Sequence, residues 1–265
     1  MDRQQLTKFN AWFDKYAAGF YGRDRFINTN LKLKEDHSRR VCEEMQYLAG
    51  TLALPDNQRL IAETIALFHD IGRFEQFTKY RTYNDSRSTD HCLLGLEVLR
   101  TETVLDGIDS RERELIEKAI EYHGRKVLPT DLDGDCLLFS KLIRDADKLD
   151  VFYVVTQYYK QYRNDPRNFM LELEFPDRPE YSPQIVDAIL HGQLIDYTRL
   201  QTLNDVKLLQ LGWVYDINFT ASLKRIRQRR FLEMLLDFLP QTQDIQKVNE
   251  KIFAYVYFRI AQEPQ

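Results

Sequence analysis

Apolar residues recur along most of this chain at steps of three and four, the period of an amphipathic helix. From His37 onward, Val41, Met45, Leu48 and Leu52 form one such stripe, closed by Pro55, and His37 sits on its inward face. Leu60, Ile61, Thr64, Ile65, Leu67 and Phe68 make a second, almost wholly apolar helix that delivers His69 and Asp70 at its C-terminal end, with Gly72 as its stop signal. Residues 74–88 read as a loop, and Thr89 or Asp90 is the N-cap candidate for a third helix starting at His91 with Leu94, Val98 and Leu99 on its apolar side. A fourth runs from about Arg111 through Leu115, Ile116, Ala119, Ile120 and His123 to Gly124. The fifth covers roughly 136–162 and sets Phe139, Ile143, Asp147 and Val151 four apart on one line. Between Asn164 and Ser182 the helical pattern breaks: three prolines surround an alternating piece, Phe169, Leu171, Leu173 and Phe175, that predicts a short edge strand and makes this segment the best lid candidate. Ser182-Pro183 signals another helix start, and further helices follow to about Leu239 and Ala261. The pattern predicts an all-α fold with no marked domain boundary.

Composition narrows the classes without selecting one. The chain has 265 residues, 43% of them hydrophobic, enough for a sizeable core. A net charge of -4 gives no reason to expect a nucleic-acid polymer or an anionic membrane as partner. The basic run Lys224 to Arg230 keeps Ile226, Phe231, Leu235 and Leu236 as anchors and reads as a solvated helix face. No apolar run reaches the length of a membrane span and the first residues lack a signal-peptide core, so the expectation is a cytoplasmic protein. Its three cysteines, odd in number and widely spaced, suggest reduced thiols rather than a disulfide framework or a zinc knuckle.

Chemistry enters through the polar residues on the apolar stripes. Four of the five histidines, with Asp70 and Asp147, fall on the inward faces or termini of five successive predicted helices. A lone histidine there is ordinarily a satisfied core residue. Several buried imidazoles and two carboxylates are costly together without a counter-charge, whereas divalent cations satisfy all of them at once. The adjacent pair His69-Asp70 is informative because neighbouring helix residues diverge by about 100 degrees, so both reach one ion most easily from a helix end.

At these positions the sequence resembles the HD superfamily of metal-dependent phosphohydrolases. Asp36-His37-Ser38-Arg39-Arg40-Val41 looks like its first motif, Leu67-Phe68-His69-Asp70-Ile71-Gly72-Arg73 like its second, and Asp145-Ala146-Asp147-Lys148-Leu149-Asp150 like its last. The resemblance covers roughly 25–160 and implies a compact multi-helix bundle there, within a single helical domain 1–265 in which 164–182 is a lid or insertion and 183–265 a C-terminal helical extension. It further implies that His37, His69, Asp70 and Asp147 hold one metal and His91 and His123 a second, with Asp70 bridging. Such a thiol-free His/Asp set suits Mn, Fe, Co, Ni or Zn. The reaction implied is hydrolysis of a phosphate ester, of a nucleotide or related small molecule, by a metal-activated water.

Lys148 and Arg73, each beside a presumed ligand, are candidates for holding phosphate, with a surface salt bridge as the alternative role. Arg73 stands where mononuclear HD nucleotidases often have a glutamate, and the Gly-Tyr-Pro signature of HD proteins acting on cyclic dinucleotides is absent. His191 lies outside the pattern and reads as structural or lid-associated. Two alternative readings share the ligand set: an HD-type di-iron oxygenase, and a non-catalytic metal-dependent nucleotide sensor. Assembly into a homo-oligomer is left open.

Overall fold

The computed structural model describes residues 1–132, 134–172 and 174–262. It is all-α: among the described residues there is no strand. Among the described residues twelve α-helices follow one another, α1 (Arg3–Ala18), α2 (Arg25–Thr51), α3 (Asp56–Phe68), α4 (Gly72–Tyr80), α5 (His91–Thr101), α6 (Ser110–His123), α7 (Gly134–Asn164), α8 (Pro183–Leu190), α9 (Leu203–Gly212), α10 (Thr220–Gln228), α11 (Phe231–Leu236) and α12 (Gln243–Ala261). Sequence patterning marks no boundary, whereas the residues cluster into two compact units: 1–150 with 170–172, and 151–169 with 173–265.

In the first unit, α3 packs on α2, α1 and α6, and α4 lies against α2 and α5. Leu31, Val41, Met45 and Leu48 of α2 are fully buried, as are Ile65, Leu67 and Phe68 of α3. Each such side chain contributes about 1.5–3 kcal/mol when fully removed from water. Aromatic rings lock α1 onto this core, with Phe9 edge-on to Phe68 at 5.6 Å and Phe13 edge-on to Phe74 at 5.8 Å. Aspartates start several helices: Asp24 accepts from the amides of Phe26 and Ile27, Asp90 from Cys92 and Leu93, and Asp109 from Arg111 and Glu112. Asp90, one of the two expected caps, therefore fixes where His91 enters α5.

Two expectations are corrected here. Residues 74–88 are not all loop, because Gly72–Tyr80 is helical; Phe74 and Phe77, three apart and both buried, anchor it. Gly72 is not a helix stop either. It opens α4, and a Cβ there would lie 2.3 Å from the His91 carbonyl oxygen and 2.6 Å from the Gly95 amide nitrogen. Its missing side chain lets α4 and α5 touch backbone to backbone, which holds His91 close to the doublet.

The second unit contains α7 from Val151 and helices α8–α12. Helix α8 packs on α9 and α12, and α10 on α11 and α12. Ser182 occupies the N-cap of α8, yet its hydroxyl donates to the buried Asp205 carboxylate at 2.8 Å instead of capping that helix. The expected edge strand does not form: Phe169, Leu171 and Phe175 are non-helical without strand pairing, and Leu173 lies outside the described residues. Pro166, Pro176 and Pro179 supply no amide donors and no neighbouring strand exists among the described residues to pair with. In the basic run, Leu223, Ile226 and Phe231 are buried while Lys224, Arg227 and Arg230 are exposed, as for a solvated face. No described helix is long and apolar enough to cross a membrane.

Candidate metal centre

Helices α2, α3, α5, α6 and α7 bring His37, His69, Asp70, His91, His123 and Asp147 to one place in the first unit. His69 is the C-cap of α3, and the chain turns there so that Asp70 follows on the same inner side. The four imidazoles stand in a row, with ring centroids 5.2 Å apart for His37 and His69, 5.1 Å for His69 and His123, and 5.0 Å for His123 and His91.

Hydrogen bonding fixes which nitrogen each ring presents. Nδ1 of His69 lies 2.7 Å from the Ala66 carbonyl and Nδ1 of His123 lies 2.6 Å from that of Ile120. Carbonyls only accept, so both rings carry their proton on Nδ1. His37 Nδ1 faces Asp150 Oδ2 at 2.7 Å and His91 Nδ1 faces Asp85 Oδ2 at 2.6 Å, which imposes the same tautomer. Every Nε2 is left turned inward. These nitrogens meet two by two, His37 to His69 at 3.3 Å and His91 to His123 at 3.2 Å.

Asp70 lies between the pairs and divides its oxygens. Oδ2 is 3.4 Å from His37 Nε2 and 3.6 Å from His69 Nε2, while Oδ1 is 3.5 Å from His91 Nε2 and 3.8 Å from His123 Nε2. Asp147 joins only the first pair, with Oδ1 3.1 Å from His37 Nε2 and 3.8 Å from His69 Nε2. Metal–nitrogen bonds of about 2.0–2.1 Å at 90–109° place ligand atoms about 2.9–3.4 Å apart. The nitrogen pairs therefore have the spacing of ligands on a shared cation, which would take the place of the protons that the neighbouring carboxylates otherwise draw onto His37. The residues fit divalent metal.

Charge around the cluster follows from these partners. Burial and the Lys34 ammonium both oppose protonation of His37, but Asp147, Asp150 and Asp70 outweigh them and push its pKa up to about 10. Burial drives His69 down to about 3. Burial would raise the Asp70 and Asp147 carboxyls, yet Lys34 and His69 at Asp70, and His37 at Asp147, hold both well below the usual carboxylate range. Both acids are thus ionised, as ligands must be.

Several residues at the site were not legible as such in the sequence. Lys34, one turn before His37 on α2, sets Nζ 2.6 Å from Asp70 Oδ2 and 5.2 Å above the Tyr83 ring. Asp150 holds His37 and also accepts from Arg40 Nε at 2.6 Å. Asp85, lowered to about 2 as His91 and Arg73 outweigh the burial that would raise it, accepts from Arg73 and Gln76 at 2.8 Å each. Cys92 lies beside the second histidine pair: its Sγ is 3.4 Å from His91 Nε2 and 3.5 Å from His123 Nδ1. Burial would raise that thiol, but His123 and His91 bring it down to about 6. A buried cysteine beside a histidine at a helix start was the available signal.

The two cations singled out in the sequence are placed differently. Arg73 is turned inward and donates to Asp70 Oδ1 (3.3 Å), Gln76 Oε1 (2.8 Å), the Tyr83 carbonyl (2.6 Å) and Asp85 (2.8 Å), so its guanidinium ties Asp70 to the partner of His91. Lys148 is half-buried on α7 beside Asp147. His191, in the second unit, is an exposed C-cap of α8 bonded through Nδ1 to the Asp187 carbonyl at 2.9 Å.

Residues 35–151 match the HD domain family model. They form an HD domain. The family consists of metal-dependent phosphohydrolases for the most part, its domains bind divalent metals, and all six clustered His and Asp residues lie inside the matched region. No curated protein and no solved structure matches the chain. In this HD domain the carboxylates behind the histidines are open to test. Asp150→Ala removes the acceptor that orients His37 and is expected to weaken metal binding about 10–100-fold, measured by chelator competition, because outer partners fix ring orientation and basicity.

Proposed function

We propose that this HD domain is a metal-dependent phosphohydrolase that holds two divalent transition-metal ions and cleaves a small phosphate ester, of a nucleotide or related molecule. The division of Asp70 between two histidine pairs carries the reading, since a carboxylate with one oxygen toward each pair is what a bridging ligand requires. His37, His69 and Asp147 would hold one ion with Asp70, and His91 and His123 the other. Ions so held lower the pKa of bound water toward neutrality and neutralise phosphoryl charge.

The protein's own groups supply positioning. Lys34 brings an ammonium to the edge of the cluster, 16% exposed at its side chain, and is the cation we assign to the substrate phosphate, with Lys148 beside Asp147 as a second. Arg73, with donors spread over four partners, is assigned to fixing Asp70 and Asp85. Residues 170–172 are fastened to the same unit: Asn30 Nδ2 donates to the Met170 carbonyl at 3.1 Å, and Glu172 accepts from Thr82 Oγ1 at 2.6 Å and from the Tyr83 amide at 3.1 Å. Tyr83 carries Lys34 over its ring, so this strap is the part of the 164–182 segment suited to covering a substrate.

The deciding experiment is a turnover screen of protein loaded separately with Mn, Fe(II), Co, Ni and Zn against nucleotides and a chromogenic phosphodiester. Phosphate or phenolate release with at least one metal is the expected result. Oxygen uptake with Fe(II) and no hydrolysis would replace the reading with an oxygenase, and nucleotide binding without turnover would replace it with a sensor.

A further inference from the structure

The second unit has a cavity of about 450 Å³, a volume typical of small-molecule sites, that the metal chemistry does not use. Its walls come from α7, the segment before α8, α9 and the residues after α11. Lys207 of α9 lies in it, 7% exposed. Its ammonium donates to Asn204 Oδ1 at 2.9 Å and to the Phe238 carbonyl at 3.0 Å, both neutral acceptors, and sits 5.4 Å above the Tyr159 ring. Among the described residues it forms no ion pair within 4.0 Å, and Asp177 of the same lining attracts it from farther away. A buried ammonium with three donors, two neutral acceptors and no carboxylate in contact is costly unless an anion visits it.

The remainder of the lining says what kind of anion. Arg163 lies over the Phe238 ring at 4.6 Å, and Tyr159 packs on the same ring at 5.6 Å, with its hydroxyl donating to Gln210 at 2.9 Å. The cavity is thus lined by two aromatic rings, and the one hydroxyl among them, that of Tyr159, is already engaged. Its charged lining is Arg163, Arg178 and Lys207 against Asp177 and Asp237, an excess of one positive charge. One net charge balances a monoanion, whereas a phosphate monoester dianion would be overcharged there.

We propose that this cavity is a second binding site, for a small aromatic monocarboxylate whose carboxylate pairs with Lys207 and whose ring lies against Tyr159 and Phe238. Burial lowers the lysine's pKa, with Asp177 opposing that shift, so an incoming carboxylate would favour its charged form.

Calorimetric titration of the full-length, metal-loaded protein with indole-3-carboxylate tests this. One site per chain is expected, with affinity reduced at least tenfold for the neutral indole-3-carboxamide and at least tenfold by Lys207→Met. The methionine keeps the stem and removes a buried charge; should circular dichroism show that it fails to fold, Arg163→Gln is expected to give a similar loss. Absence of binding, binding unchanged in the folded variants, or tighter binding of adenosine monophosphate or inorganic phosphate than of indole-3-carboxylate would each overturn the proposal.

Discussion

Asp70→Ala is expected to strip the protein of most bound metal and to lower phosphate release roughly a thousandfold or more. Each Asp70 oxygen faces a different histidine pair, so a single truncation takes a ligand from both. It also leaves Lys34 and Arg73, now held at 2.6 Å and 3.3 Å from the carboxylate, facing the imidazoles without their shared anion. Like charge then replaces the attraction that a metal needs. Elemental analysis and the turnover assay read the two losses together, and Asp70→Asn, which keeps shape and hydrogen bonding, separates loss of charge from loss of fold. Full metal occupancy in Asp70→Ala would be incompatible with a bridging role.

Gly72→Ala is the second large effect, and it acts through packing. The added methyl would lie 2.3 Å from the His91 carbonyl oxygen and 2.6 Å from the Gly95 amide nitrogen, far inside contact distance and against backbone on both sides. No side chain can rotate away to relieve it, so α4 and α5 must separate. A cost of about 3 kcal/mol, at the upper end for overpacking, is expected from urea unfolding. Because His91 opens α5 and Asp70 lies two residues before Gly72, the same separation should pull the second histidine pair away from Asp70. Metal binding by His91 and His123 should therefore weaken more than that by His37 and His69, a pattern that a general loss of stability would not produce.

Much of the fold and the cluster of six His and Asp residues was legible in the sequence because both rest on period. Helical stripes carry the histidines at positions that should be apolar, and a polar residue in such a place is visible without coordinates. Arg73, by contrast, looks like a phosphate binder from its neighbours in sequence, and only the fold shows that Gln76, Tyr83 and Asp85 take its donors. Lys34, Asp85 and Asp150 stand among many charged residues, where nothing in the pattern separates a hydrogen-bond partner of the site from a solvated surface group. Gly72 looked like punctuation, since a glycine after an apolar helix ordinarily ends it. Its actual use, the contact with α5, depends on a neighbour some twenty residues on and is not a local property. For the same reason Phe74 and Phe77, only three apart, were too short a run to signal α4.

The most direct test of the proposed two-metal centre is the metal-to-chain ratio of the purified protein, measured by elemental analysis for the wild type and for His123→Ala. The geometry predicts two ions per chain in the first and one in the second, because His37, His69, Asp70 and Asp147 remain a complete set when the other pair is broken. Equal ratios in the two proteins would contradict it.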